Sequence, residues 1–301
     1  MATDVETVTA GSSPCATGEA LACIQPRGFL LVLSPDWIVL RASENVHRFL
    51  GESHVTLIDE PLGRFVQPQA LHDLRNLFSR LSSAAGPACA YRVRLTEDPH
   101  WFDLLFQSSH GRVLLEGVPS LEQGLGEAIG SVGGLIAGLA GRGTSLLENG
   151  ARRMRALTGF DRVRVCIGDE QAESARGAFA ADGPLSGRPF DTRVVEDVDA
   201  DAVPVFPRRA YHRSVEQAIF RAPSSAECDL LRAHGVAATM SVPIRRGEET
   251  IGWFHCDHRK KRSSDLETHA AALLFGQMFA MQLEIARLKS SPPGGGVGPK
   301  G

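Results

Sequence analysis

Two strand-like runs near the C-terminal end of the chain carry polar side chains at a spacing that gathers them. Thr239 and Ser241 alternate along the first, Ala237–Ile244. Trp253, His255 and Asp257 alternate along the second, Thr250–Asp257. Successive strand side chains point to opposite faces, so each set shares a face. A hairpin that brought those faces together would build a half-polar wall, with Arg221 just ahead of it in the chain. Hydroxyls and a guanidinium in that arrangement suit a ligand bearing carboxylates. An ordinary hairpin with a solvent-facing polar side fits the same spacing. His255-Cys256-Asp257-His258 is not a metal site by this logic: neighbours on a strand diverge, leaving at most two ligands on one side.

The elements that must hold these residues can be read around them. Ser224 and Ser225 stand at N-cap positions before a helical pattern that ends near Gly235, and the turn Arg245–Glu249 joins the two strands. Upstream, Leu146–Leu157 reads as a helix stopped at Thr158-Gly159, and Arg162–Ile167 as a strand. The stretch 170–189 reads as a polar, glycine-rich loop, and 194–206 as edge or loop structure. Leu266–Leu288 is a long amphipathic helix with apolar residues suited to pairing with a second copy.

The N-terminal half repeats the logic. Phe29–Leu33 and Trp37–Arg41 are strands split by Ser34-Pro35-Asp36, Ala42–Leu50 and Leu71–Leu81 are helices, and Ala90–Leu95, Trp101–Gln107 and Arg112–Val118 are strands. The class is α+β, two domains each built on an antiparallel sheet flanked by helices. Between them, Gly126, Gly130, Gly134 and Gly138 recur every four residues, giving either a helix held by a partner, as at a dimer contact, or a linker. The uncharged run there is too short to span a bilayer.

Composition agrees with a globular protein of two domains: 301 residues, 43% hydrophobic and 22% charged. The net charge of −3 points to no nucleic-acid partner. The six cysteines are scattered and no signal peptide is visible, which predicts free thiols in the cytoplasm. P-loop, Rossmann and nucleophile-elbow patterns are missing, so no enzyme is expected.

Several short motifs, in order, resemble bacterial phytochromes. Ile24-Gln25-Pro26-Arg27-Gly28 followed by FLLVLSPDWIVLRASENVHRFLG is similar to the IQPHG start of their PAS domain. Leu157-Thr158-Gly159-Phe160-Asp161-Arg162-Val163 resembles the opening of their GAF domain, as does Arg232-Ala233-His234-Gly235 followed by Met240-Ser241-Val242. The resemblance runs over roughly residues 23–289 and divides the chain into a tail (1–14), a PAS-like domain (15–119), the glycine-rich segment (120–145), a GAF-like domain with its C-terminal helix (146–289) and a tail (290–301). The family's PHY domain has no counterpart.

That resemblance implies a linear tetrapyrrole, biliverdin or a relative, in the GAF pocket. Arg193 and Arg221 match arginines that hold its propionates, and Thr239 and Ser241 match hydroxyl positions of the same clamp. The family's pocket histidines fall on Glu227 and Asp257, and pocket tyrosines on Cys166 and Leu230, which implies an altered or lost photocycle. Cys15 is the nearest candidate for covalent attachment, ahead of Cys23 and Cys228, although it lies too near the IQP motif and lacks the family's EPIH context. The family also passes its N-terminus through a GAF loop, and the shortness of the stretch between Ile167 and Phe190 counts against that arrangement here. The implied function is a sensory photoreceptor module, homodimeric, signalling to a separate protein. A ligand-free interaction scaffold that keeps only the dimer helix is the alternative.

Overall fold

A computed structural model of the chain describes residues 22–80, 87–121, 127–140, 145–179, 192–207, 215–263 and 265–290. Among them are twelve strands. They are β1 (Cys23–Ile24), β2 (Phe29–Leu33), β3 (Val39–Ser43), β4 (Ala88–Val93), β5 (Phe102–Ser109), β6 (Arg112–Pro119), β7 (Arg162–Ile167), β8 (Glu170–Ala175), β9 (Arg193–Val195), β10 (Val203–Phe206), β11 (Ala238–Arg246) and β12 (Glu249–His258). The helices are α1 (His47–Leu50), α2 (His54–Leu57), α3 (Pro68–Ser79), α4 (Glu127–Ala137), α5 (Leu146–Thr158), α6 (Ser225–Ala233) and α7 (Leu266–Ser290). The strands form two sheets, in the orders β1-β10-β3-β2-β6-β5-β4 and β8-β7-β12-β11-β9. The chain divides into two compact units, Met1–Gln123 with Phe179–Met240 and Asp257–Leu266, and Gly124–Ala178 with Ser241–Cys256 and Glu267–Gly301.

In the first unit, β2 is apolar along its whole length because both of its faces are covered. Phe29, Leu31 and Leu33 face a core with Leu57, Leu74 and Phe106. Leu30 and Val32 face a second core with Ile24, Leu114, Val205 and Ala218. Its register with β6 runs from Phe29↔Gly117 to Leu33↔Val113. Glycines let the two backbones approach: a Cβ on Gly28 would stand 2.5 Å from the Gly117 carbonyl oxygen, and one on Gly117 would collide with the Phe29 ring. The strand expected at Trp37–Arg41 begins later, at Val39, because Trp37 adopts φ 66° in the turn. The expected helix at Ala42–Leu50 is shortened to a 3-10 turn and α1, and Ser43 accepts the Leu30 N–H rather than capping it.

The second cover of β2 comes from far along the chain. β10 lies between β1 and β3, with Ile24↔Val203 and Val205↔Ser43 as partners. On the opposite edge Ile24 bridges Arg221, the Gln25 N–H donates to the Phe220 carbonyl (3.0 Å), and the Ala222 N–H donates to the Cys23 carbonyl (2.9 Å). The stretches 203–205 and 220–222 therefore hold the two edges of β1. Glu116 of β6 fastens the second of them from beneath: Oε1 accepts the Ile219 N–H at 2.9 Å and Oε2 the Phe220 N–H at 2.8 Å. The buried Arg41 donates to the Val205 carbonyl at 3.0 Å.

The second unit packs α5 and α7. Ser145 and Glu148 make a reciprocal capping box at the start of α5, and Gly159 ends it at φ 68°. Phe254, Phe275 and Phe279 form an aromatic cluster with centroids 5.1–6.2 Å apart. Gly150 of α5 is required there, since a Cβ would strike the Phe279 ring. The polar stretch expected to be a loop from 170 begins instead with β8, paired to β7 along its length. Of the glycine repeat, Gly130 and Gly134 lie in the helix α4, where a Cβ on either would meet nothing within 4 Å, and Gly138 lies in the 3-10 turn after it, where a Cβ would strike the Arg153 guanidinium. Gly126 and both expected tails, apart from Ser290, lie outside the described residues.

Two buried titratable groups predict opposite pH slopes. Burial lifts Glu116 to about 7 against the backbone N–H groups that favour its ionised form. The unfolded chain then releases its proton near pH 4 while the folded chain keeps it. Stability from this group falls as pH rises from about 4 to about 7. His269 is buried and lowered to about 4, so its contribution is present above about pH 6.5 and lost as pH falls toward 4. Thermal midpoints at stepped pH should show Glu116→Gln without the decline and His269→Leu without the acid loss. A variant profile parallel to the parent's would remove that residue as the cause.

Candidate functional site

In the first unit the predicted site residues meet in two pairs. Arg193 stands at the start of β9, a strand buried along its length, and is itself only 6% exposed. Its Nη2 donates to Glu227 Oε1 at 2.9 Å. Glu227 is the third residue of α6, and its Oε2 accepts the Ser224 N–H at 2.6 Å, while Ser224 Oγ accepts the Glu227 N–H at 3.3 Å. This reciprocal cap is what the Ser-x-x-Glu spacing dictates, and it aims the acid at the helix N-terminus. The second pair is on β11 and β12: Thr239 Oγ1 donates to Asp257 Oδ1 at 3.0 Å, both buried.

Arg221 has other company. It is half-buried, its guanidinium donates to the Glu216 carbonyl, and its charge favours ionisation of Glu116. In the second unit Ser241 Oγ lies 3.1 Å from His255 Nδ1, and the His255 ring stacks near Trp253 with centroids 6.4 Å apart. The cross-strand pairing expected of the half-polar face is present in both places. Cys166 is half-buried on β7. Cys15 lies outside the described residues. Cys23 and Cys256 are buried, and half-buried Cys228 packs against Val198, Leu231 and Val236. Burial lifts the Cys89 thiol to about 11, which keeps it protonated and unreactive at neutral pH.

Sequence reasoning missed Glu116 and Gln25. Gln25 Nε2 donates to the Val194 carbonyl and its Oε1 accepts the Glu196 N–H at 2.6 Å, so the strand that carries Arg193 is tied to the IQP motif. The signal for Glu116 was present, a lone acid inside the apolar run RVLLEGVP. An open cleft of about 490 Å³ beside Gln25, Arg27, Glu196, Lys261 and Arg262 includes none of the anchor residues. Arg27 and Glu196 form an ion pair of 2.5 Å on its wall.

Chemically, the arrangement joins cation to anion and hydroxyl to carboxylate. Glu227 and Asp257 are acceptors when ionised and offer no N–H of their own. Among the described residues no helix is long and apolar enough to cross a membrane.

A PAS fold family model matches residues 19–117, and a GAF domain model matches residues 143–286. A cyanobacterial phytochrome B of Nostoc sp. is 23% identical over 86% of this chain and 38% of its own length. A bacteriophytochrome of Pseudomonas aeruginosa is 26% identical over 87% of this chain and 39% of its own. The chain thus spans about two fifths of these relatives. Among solved structures, a mutant chromophore-binding domain of Stigmatella aurantiaca bacteriophytochrome aligns with TM-score 0.74 at 25% identity, over 87% of this chain and 96% of that one. The chromophore-binding domain of an unusual bacteriophytochrome from R. palustris shares the fold, with TM-score 0.73 at 22% identity over 89% and 96%. The motif order, both domain matches and the shared fold agree: the chain is a PAS–GAF module that resembles the bacteriophytochromes.

Proposed function

We propose that this chain is the pigment-binding part of a photoreceptor, holding biliverdin or a related linear tetrapyrrole in its GAF domain without enzymatic activity of its own. The observation that carries this reading is the near-complete overlap, 96%, with a domain described as chromophore-binding. In the first unit Arg193, Arg221 and Thr239 supply guanidinium and hydroxyl groups of the kind that carboxylate side chains of such a pigment require. Bound there, the pigment supplies light absorption and bond isomerisation. The protein's residues orient it and accept from its pyrrole N–H groups. Glu227 and Asp257 stand where the resembling family places imidazoles, so ring N–H groups give way to carboxyl groups at two points and the photocycle is altered. The signal leaves through α7 toward a separate protein.

The same reading makes α7 a dimer contact. Leu274, Met281, Ile285 and Leu288 are exposed, and half-buried Met278 completes a 4-3-4-3 spacing, the seam of a two-helix coil.

Coexpression with a source of biliverdin, followed by an absorption spectrum and a zinc-stained denaturing gel, tests the pigment. A coloured protein is expected. Gel fluorescence lost in Cys15→Ser would assign the attachment, and colour without fluorescence would mean noncovalent binding. Colourless protein in repeated preparations would leave the ligand-free scaffold. Arg221→Ala should weaken pigment binding about tenfold, roughly the loss of one charge-assisted hydrogen bond; unchanged affinity removes Arg221 from the site. Met281→Glu with Ile285→Glu should turn a dimer into a monomer by light scattering, and a dimer that persists excludes α7 as its contact.

A further inference from the structure

The proposed anchors Arg193 and Thr239 are each engaged by a carboxylate of the chain itself. Arg193 holds Glu227 and Thr239 holds Asp257. The first pair is the more telling. A glutamate side chain is –CH2–CH2–COO⁻, the same group as the propionate of a linear tetrapyrrole. We infer that Glu227 is a built-in occupant of the carboxylate seat at Arg193, so that affinity for a carboxylate-bearing ligand is set by how readily this acid is displaced. The inference rests on the reading of Arg193 as a ligand anchor and adds what competes for it.

Three features hold the acid in place. Both of its oxygens are bonded, one to Arg193 and the other to the Ser224 N–H. The positive end of the nine-residue α6 favours a negative charge in its first turn. The pair is largely dry, with side-chain exposures of 7% for Arg193 and 20% for Glu227, so separating the charges without a replacement deprives a buried cation of this counter-charge. An entering propionate must therefore replace the Arg193 bond, and Glu227 must turn to solvent. No bond is made or broken covalently in this exchange. The acid competes with carboxylates only. A ligand whose propionates are masked would gain nothing from its removal.

Glu227→Gln is a suitable probe. Glutamine also serves at the third position of a capping box, so the helix start is kept while the charge is lost. The probes are biliverdin, its dimethyl ester and, without pigment, phenylglyoxal labelling of Arg193 read by mass spectrometry. Removing the acid should raise the labelling rate at Arg193 several-fold and tighten biliverdin about tenfold. The ester should bind as before, and Arg193→Ala should erase the gain. Equal labelling in parent and variant overturns the inference, as does an equal change for both pigments. Faster labelling in a variant that, like the parent, binds neither pigment would uphold the occupied seat and sink the pigment reading. Should Glu227→Gln not fold, Glu227→Asp, shorter by one methylene, is held to the same labelling criterion.

Discussion

The first unit depends on one constraint: a two-residue strand, Cys23–Ile24, hydrogen-bonded on one edge by 203–205 and on the other by 220–222. Everything around the site refers back to it. Gln25, next in the chain, binds the backbone on either side of Val195 in the strand that carries Arg193. The stretch that grips the other edge, 220–222, includes Arg221 and leads directly into the Ser224 cap and Glu227. Two candidate anchors and the acid that engages one of them are thus positioned by one short piece of backbone pairing.

Glu116 shows how finely that pairing is balanced. Its carboxylate offers lone pairs to two neighbouring N–H groups that would otherwise be buried without acceptors, a cost of about 1–3 kcal/mol for each. The same burial penalises its charge strongly enough to bring it close to neutral pH. The clasp is held by a group that water would stabilise better, and it stays in place because the alternative is two orphaned donors. Gln107 adds a third tie: its Nε2 also donates to the Gln217 carbonyl at 3.1 Å.

Much of this was legible in the residues, and the exceptions have physical causes. The run FLLVL reads as a strand because burial on both faces leaves no polar alternation to confuse it. The Ser224 cap reads directly from Ser-x-x-Glu. β8 does not, since EQAESA is mostly exposed and is held by backbone pairing across the Gly168 turn, which leaves no apolar signature. The stretch 194–206 reads as edge or loop, yet VPVF within it lies inside a sheet, between β1 and β3. At the site, the types of Arg193, Glu227, Thr239 and Asp257 were readable, and so was the facing of Thr239 toward Asp257. That Arg193 turns to Glu227 was not, because 34 residues separate them and only the tertiary fold brings them together.

The place of β10 in the first sheet bears on how the chain is made. Arg41 and Val205, which it joins, are 164 residues apart. A ribosome adding about 5–20 residues per second needs on the order of ten to thirty seconds to bridge that interval. Until then Leu30, Val32 and Leu114 lack the cover that Val205 and Ala218 later provide. The nascent N-terminal half therefore emerges as an unfinished sheet with a bare oily side, exposed for the whole of that interval.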